Sequence, residues 1–387
     1  MIYLDHAATT PVPKAVADAM YTVLTEQYAN PNAQYPFGQE MRRSVEDWRA
    51  VIAKAVGCEA NQLFFTSCGT EGDNWAIRAA CWQNRHVGRH IVTTAVEHHA
   101  VLNCCQQLEQ EGWEVTTILP DQNGDISAES VLAAVRPDTA LVSVMMVNNE
   151  LGSIYPIADI AKGLKAVNEK TLLHTDAVQG FLKVPFSAKA LGADFIAISG
   201  HKIGAPKGIG ALYIRRGVKI SNYLHGGAQE NKRRAGTENL PGIIGFGKAA
   251  ELAGENFAEH VKHCSELRNY LIDEVLKRIP NVKVNGSMEY RHPGNANLTF
   301  EYIEGEAMLL MLDAKGISVS TGSACSSTSL VPSHVLSALG IPVEQIHGTL
   351  RFTIGDFTTN IDYTVDALKT VVEKLREWSP VTGQEGW

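Results

Sequence analysis

Between residues 62 and 214, short unbroken apolar runs alternate with longer segments whose apolar positions recur every three or four residues. The short runs predict strands at 63–66, 90–94, 115–119, 141–147, 171–176, 194–199 and 210–214. The longer ones predict helices at 71–80, 100–110, 128–135 and 157–167. Strands that are apolar throughout, and not at every second residue, belong in a mostly parallel sheet covered on both faces, so the fold class is α/β. Beyond about residue 255 the pattern changes. A long helix at 257–278 leads into strands at 282–284, 297–300, 317–320 and 350–354, with a helix at 306–315. This predicts a large domain over 15–255 and a smaller α+β domain made of 1–14 and 256–387.

Ligands of parallel sheets sit outside the carboxyl ends of the strands. Two strand ends stand out. One runs into Ser199-Gly200-His201-Lys202 and another into Asp176-Ala177-Val178-Gln179. A lysine there either buries its stem and wets its head or, poorly hydrated, turns to its neutral amine and forms a Schiff base. Opposite an aspartate it matches the needs of pyridoxal phosphate: an amine for the aldehyde and a carboxylate for the pyridinium nitrogen.

Other strand-to-helix turns carry Ser67-Cys68-Gly69-Thr70, whose small residues leave backbone N–H groups for a phosphate, and Glu97-His98-His99. His98 suits stacking on a ring and relaying protons, or is a helix-start histidine with no task. A zinc site from His98, His99, Cys104 and Cys105 has none of the usual ligand spacings, so no metal is expected. The run 320–329 is small and polar around one thiol, Cys325, which predicts an exposed, mobile nucleophile. Arg351 could fork onto a carboxylate or pair on the surface.

Composition narrows the reading. With 387 residues, 45% hydrophobic and 20% charged, the chain is an ordinary globular one, and its net charge of −8 invites neither nucleic acid nor an anionic membrane. The first residues do not read as a signal peptide, and seven irregularly spaced cysteines predict a reducing, cytoplasmic setting.

Taken together, Tyr3-Leu4-Asp5-His6-Ala7-Ala8-Thr9-Thr10, Glu97-His98, Asn148-Asn149-Glu150, Asp176-Ala177-Val178-Gln179, Ser199-Gly200-His201-Lys202 and Arg234-Ala235-Gly236-Thr237-Glu238-Asn239 resemble class V, fold-type I pyridoxal-phosphate enzymes. With Ser323-Ala324-Cys325-Ser326-Ser327 and Pro332-Ser333-His334-Val335-Leu336, the chain is similar to cysteine desulfurases of the NifS/IscS group almost end to end. The resemblance implies a seven-stranded, mostly parallel sheet and a homodimer. It implies that Lys202 bonds the cofactor, that Asp176 pairs with the ring nitrogen, that Gln179 and Asn149 contact the ring oxygen, and that His98 stacks on the ring. Gly69, Thr70, Ser199, Gly200 and His201 would line the phosphate site, with Thr237 arriving from a second subunit. Asn30 and Arg351 would hold the carboxylate of L-cysteine. Cys325 would take its sulfur as a persulfide, release L-alanine, and pass the sulfur to an acceptor protein, an iron–sulfur scaffold or a tRNA-thiolating enzyme.

The chain departs from the pattern at Tyr35, Cys68 and Ala205, which touches loop detail. Its tail after Pro380 is short, which leads one to expect an acceptor other than the scaffold of the IscS branch. Competing readings are a selenocysteine lyase or aminotransferase of the same fold, or a non-catalytic sulfur-relay scaffold. The last is disfavoured by the joint presence of Lys202, Asp176, His98 and Cys325.

Overall fold

The computed structural model describes residues 1–321 and 331–379. Seven strands form the central sheet. In spatial order they are Leu63–Thr66, Gly210–Ile214, Phe195–Ser199, Leu172–Asp176, Thr139–Ser143, His90–Thr94 and Glu114–Ile118. Six run parallel, and Gly210–Ile214 runs against both of its neighbours. The strand alternation therefore predicts the sheet correctly, while the reversed strand has no signature in an apolar run. Five strands are buried at every residue, and the edge strand Glu114–Ile118 is not.

One strand is shorter than its apolar run. The regular strand expected to Val147 ends at Ser143. Residues 144–147 stay fully buried, which is why they are apolar. The chain there turns back through Asn148, whose Oδ1 accepts from the N–H groups of Glu150 (2.9 Å) and Leu151 (2.8 Å). Before that turn, Val144 N–H and Met146 N–H still donate to His174 O (3.1 Å) and Asp176 O (2.8 Å) of the neighbouring strand.

Helices cover both faces. Lys14–Thr25 and Pro36–Val56 pack on Leu240–Glu255, whose small residues permit the approach. A Cβ on Gly247 would lie 2.4 Å from the Trp48 ring, and one on Gly245 would lie 2.8 Å from Met20 Sδ. A second apolar core lies beyond Asn256. It joins the antiparallel strands Val282–Val284, Asn295–Phe300 and Thr349–Thr353 to helices Phe257–Arg278, Gly305–Asp313 and Ile361–Trp378. The chain start belongs to this core: Ile2–Tyr3 pairs in parallel with Ile317–Ser318, and Leu4 is fully buried in it. Among the described residues no helix is long and apolar enough to cross a membrane.

Candidate active site

The carboxyl ends of five sheet strands open into a cavity of about 570 Å³. Lys202 enters it from the short turn Gly200–Lys202 that follows strand Phe195–Ser199. Its Nζ donates to the carbonyls of Ala7 (2.5 Å) and Ala8 (2.8 Å). These carbonyls are within reach because Ala7 and Ala8 are small and because Tyr3 Oη, donating to Asp5 O and Thr9 O, folds the segment over the site.

Asp176 ends the neighbouring strand and is 5% exposed. Burial pushes its carboxyl up to about 6, against the pull of the Val178 N–H at 2.8 Å and of Lys202. Asp73, fully enclosed on helix Gly69–Asn84, is pushed well above the usual range by burial and by Asp176. His98 caps helix His99–Gln110, its Nδ1 accepting from Ala100 N at 3.1 Å. That bond leaves the proton on Nε2. Burial, with Lys202 and His99 nearby, brings the ring down to about 4, so His98 is neutral across the physiological range.

The anion end is built from backbone. Helix Gly69–Asn84 begins at Cys68 without a side-chain cap, so its first N–H groups face the cavity. Gly69 is needed for close approach, since a Cβ there would meet Val178 Cγ2 at 2.6 Å. Beside it, the buried Ser199 Oγ has no hydrogen-bond partner among the described residues. An uncapped helix start, an orphaned hydroxyl, a buried carboxylate and a strand-end lysine together fit a group carrying a phosphate, a basic ring nitrogen and an electrophilic carbonyl.

Arg351 reaches the same cavity from the second core. Its Nη1 donates to Asn149 O and its Nη2 to Asp5 Oδ1, both at 2.9 Å, while its buried Nε has no partner among the described residues. Ser320 pairs with Arg351 through backbone, and Val331, Pro332 and Ser333 line the cavity. The described residues on either side of 322–330 therefore both reach the site, while Cys325 itself lies outside the described residues.

The cavity gathers Gly69, Thr70, His98, Asn149, Asp176, Gln179, Ser199, His201, Lys202 and Arg351 from the sequence-derived set. Gln179 spends its Nε2 on Ala7 O at 3.0 Å, and His201 Nδ1 lies 3.3 Å from Thr9 Oγ1. Gly200 is not on the wall; its N–H donates to Ile209 O at 3.0 Å in the packing behind. Asn30 and Thr237 are exposed and outside the cavity of this one chain.

The sequence reading gave no role at this site to Asp5, Asp73, Glu150 or the pair His99–His334, whose rings lie 4.6 Å apart. Burial lifts Glu150 to about 7, and its Oε2 accepts from Ser333 Oγ at 2.5 Å. Asp5 and Glu150 lie inside the recognised motifs and Asp73 one turn beyond Thr70, which was the available signal.

Sheet, strand-end lysine and facing carboxylate define the fold-type I class of transferases. The chain belongs to the class-V aminotransferase family, whose model matches residues 2–367. It is 49% identical over 386 residues to the cysteine desulfurase IscS of Methanosarcina thermophila, covering 99% of this chain and 95% of the relative. Among solved structures, a NifS-like protein matches with a TM-score of 0.91 at 34% identity over 97% of this chain and 100% of its own. The protein SspA, solved in complex with cysteine, matches at 0.81 and 32%, over 93% of this chain and 100% of its own.

Proposed function

We propose that this chain is a pyridoxal-phosphate-dependent cysteine desulfurase that converts L-cysteine to L-alanine and takes the sulfur onto Cys325. The observation that carries this is the convergence of Lys202, Asp176, neutral His98 and Arg351 on one cavity, in a chain nearly half identical to a cysteine desulfurase. Bound there, the cofactor supplies an aldehyde for amine exchange and an electron sink for bond cleavage at the substrate.

The chain's residues do the rest. Lys202 supplies the amine. The first N–H groups of helix Gly69–Asn84, with Thr70, Ser199 and His201, bind the phosphate. Asp176 holds a cationic ring nitrogen; its carboxyl gives up its proton where that cation is present. Gln179 and Asn149 would contact the ring oxygen. His98 would stack on the ring, where its neutral Nε2 could give or take a proton. Arg351 orients the substrate carboxylate, aided by Asn30. The Cys325 thiolate then attacks the substrate sulfur. The carbon–sulfur bond breaks, a sulfur–sulfur bond forms on Cys325, and the substrate carbon is protonated to alanine. Sulfur and protons balance without an added oxidant. The persulfide is passed to an acceptor protein, an iron–sulfur scaffold or a tRNA-thiolating enzyme. A homodimer is part of this reading, supported by Thr237 being exposed and outside the cavity of the single chain, as is a reducing cytoplasm, supported by six free thiols among the described residues.

The test is the yellow, borohydride-bleachable holoenzyme given L-cysteine and a reductant. Alanine and sulfide should form in equal amounts. Transamination without sulfide refutes the proposal.

A further inference from the structure

Behind Lys202, away from the cavity just described, lies a second one of about 420 Å³. Its wall includes His6, Lys183, His260, His263 and Asp356. None of these has a task in the reaction above. His260 and Cys264 lie one turn apart on helix Phe257–Arg278, so both project from one face. Asp356 arrives from the segment after strand Thr349–Thr353 and bonds to His260 Nδ1. One ligand atom from each of the three lies within 4.8 Å of the others.

We propose that His260, Cys264 and Asp356 form a binding site for a borderline-soft divalent cation of the zinc class, with the cavity supplying a fourth ligand as water or His263. Three observations carry it. The donor set is one nitrogen, one sulfur and one oxygen, the mixture that suits zinc. The groups are within reach of a common ion once the ring turns and Asp356 gives up its hydrogen bond to it: His260 Nδ1 lies 3.7 Å and Nε2 3.9 Å from Cys264 Sγ. In a tetrahedral site with ordinary zinc–ligand lengths that edge is about 3.6 Å. Finally, the cavity gives an entry path to His260 and Asp356, with Cys264 directly behind them, and on its wall the buried His263 Nε2 has no hydrogen-bond partner among the described residues.

The bland alternative is a helix-surface ion pair, His260–Asp356, over a core cysteine. Cys264 is 0% exposed, its thiol aimed at Ile354 O at 3.7 Å. Burial pushes that thiol up to about 12, so it is protonated without a metal. Binding therefore releases the thiol proton to solvent as the sulfur–zinc bond forms, with no redox change. Lys183 is the adverse charge nearby. Burial brings its ammonium down to about 8, so it can shed its proton when a dication arrives. The site would tie helix Phe257–Arg278 to the segment at Gly355, on which the His6 ring sits; a Cβ on Gly355 would meet that ring at 2.3 Å.

The experiment uses holoenzyme stripped with a chelator and kept free of thiols, then given zinc chloride and desalted against a weak chelator. Zinc per chain is read by plasma mass spectrometry. Wild type and Cys325→Ser should each keep about one zinc. Cys264→Ser and His260→Gln, folded as judged by cofactor absorbance and circular dichroism, should hold it more than about tenfold more weakly. Wild type and Cys325→Ser should also melt higher with zinc than without, and the two ligand variants should not. Loss of zinc in Cys325→Ser would place the metal at the catalytic thiol and overturn the assignment. So would undiminished retention in Cys264→Ser and His260→Gln, or no retention in wild type.

Discussion

Replacing Arg351 by lysine tests how the site reads its substrate. The guanidinium is buried, and two of its nitrogens are committed, Nη1 to Asn149 O and Nη2 to Asp5 Oδ1. The third, Nε, is buried without a partner among the described residues. A buried cationic N–H lacking an acceptor costs about 1–3 kcal/mol, and a charge-assisted bond to a carboxylate gains about 1.5–3 kcal/mol. A substrate carboxylate arriving at Nε relieves the first and adds the second. Lysine keeps the charge and loses the fork and the Nε donor.

The expected loss is about 2–3 kcal/mol, or roughly 30–150-fold in kcat/KM for L-cysteine. Arg351→Gln should lose more, because Asp5, only 18% exposed in its side chain, is then left without its cation. The discriminating assay is spectral titration of the holoenzyme with L-cysteine and with cysteamine, which lacks the carboxylate. Arg351→Lys should weaken L-cysteine and leave cysteamine within about threefold of wild type. Equal losses for both ligands would refute the assignment, since the arginine would then be holding the site together and not the carboxylate.

Cys325→Ser should keep the cofactor's spectral response to cysteine but form no persulfide, while Cys68→Ser stays substantially active. Mass spectrometry after brief exposure to cysteine checks this, and an added sulfur mapped to Cys68 contradicts it. Glu230→Ala should destabilise the chain, because Glu230 takes both arms of buried Arg49 (2.7 and 2.8 Å) and the Phe65 N–H (2.8 Å). Breaking such a pair costs about 3–5 kcal/mol, or roughly 4–6 °C in Tm for a chain this long. Glu150 should make the fold prefer acid. Its carboxyl is raised from 4.5 to about 7 by burial, so it folds protonated, and its contribution is complete below about 4.5 and lost as pH rises towards 7. Denaturant melts from pH 5 to 8 should show wild type losing stability relative to Glu150→Gln, and a constant difference sinks the reasoning.

What the sequence made legible was local. Lys202 and Asp176 were readable because each follows an apolar run by two to four residues, and a strand end needs no tertiary knowledge to place. Helix Phe257–Arg278 was readable to its end residues from its period. The apolar run past Ser143 misled because burial and strand pairing leave the same pattern. Helices Lys14–Thr25, Pro36–Val56 and Leu240–Glu255 pack on one another, and their partners are too distant in sequence for any single stretch to announce them. Asp5 and Arg351 are 346 residues apart, and His260 and Asp356 are 96 apart. Both pairings come from topology, which one sequence does not print. Thr237 and Asn30 look like site residues by motif, yet one chain leaves both exposed, so any role at a site depends on a second chain or on movement.

The opening segment explains how two separate cores make one site. Leu4 is packed into the second core, and Thr10 is bonded to His201 beside the sheet, through both its N–H (3.0 Å) and its Oγ1 (2.8 Å). Between them, Asp5 holds Arg351, Ala7 N donates to Thr353 Oγ1 at 2.9 Å, and the carbonyls of Ala7 and Ala8 hold Lys202. The seven consecutive residues from Leu4 to Thr10 thus fix the two charged groups that would meet the two ends of an amino acid. Lys202 must leave the Ala7 and Ala8 carbonyls to offer a neutral amine, because both bonds are strongest to the charged form. Asp5 must share the Arg351 guanidinium with an incoming carboxylate. Both costs fall on the same strip of backbone, so the strip sets the spacing between amine and carboxylate recognition. A bulkier residue at Ala7 or Ala8 would disturb both ends at once, which accounts for a run of small residues at this position better than either contact does alone.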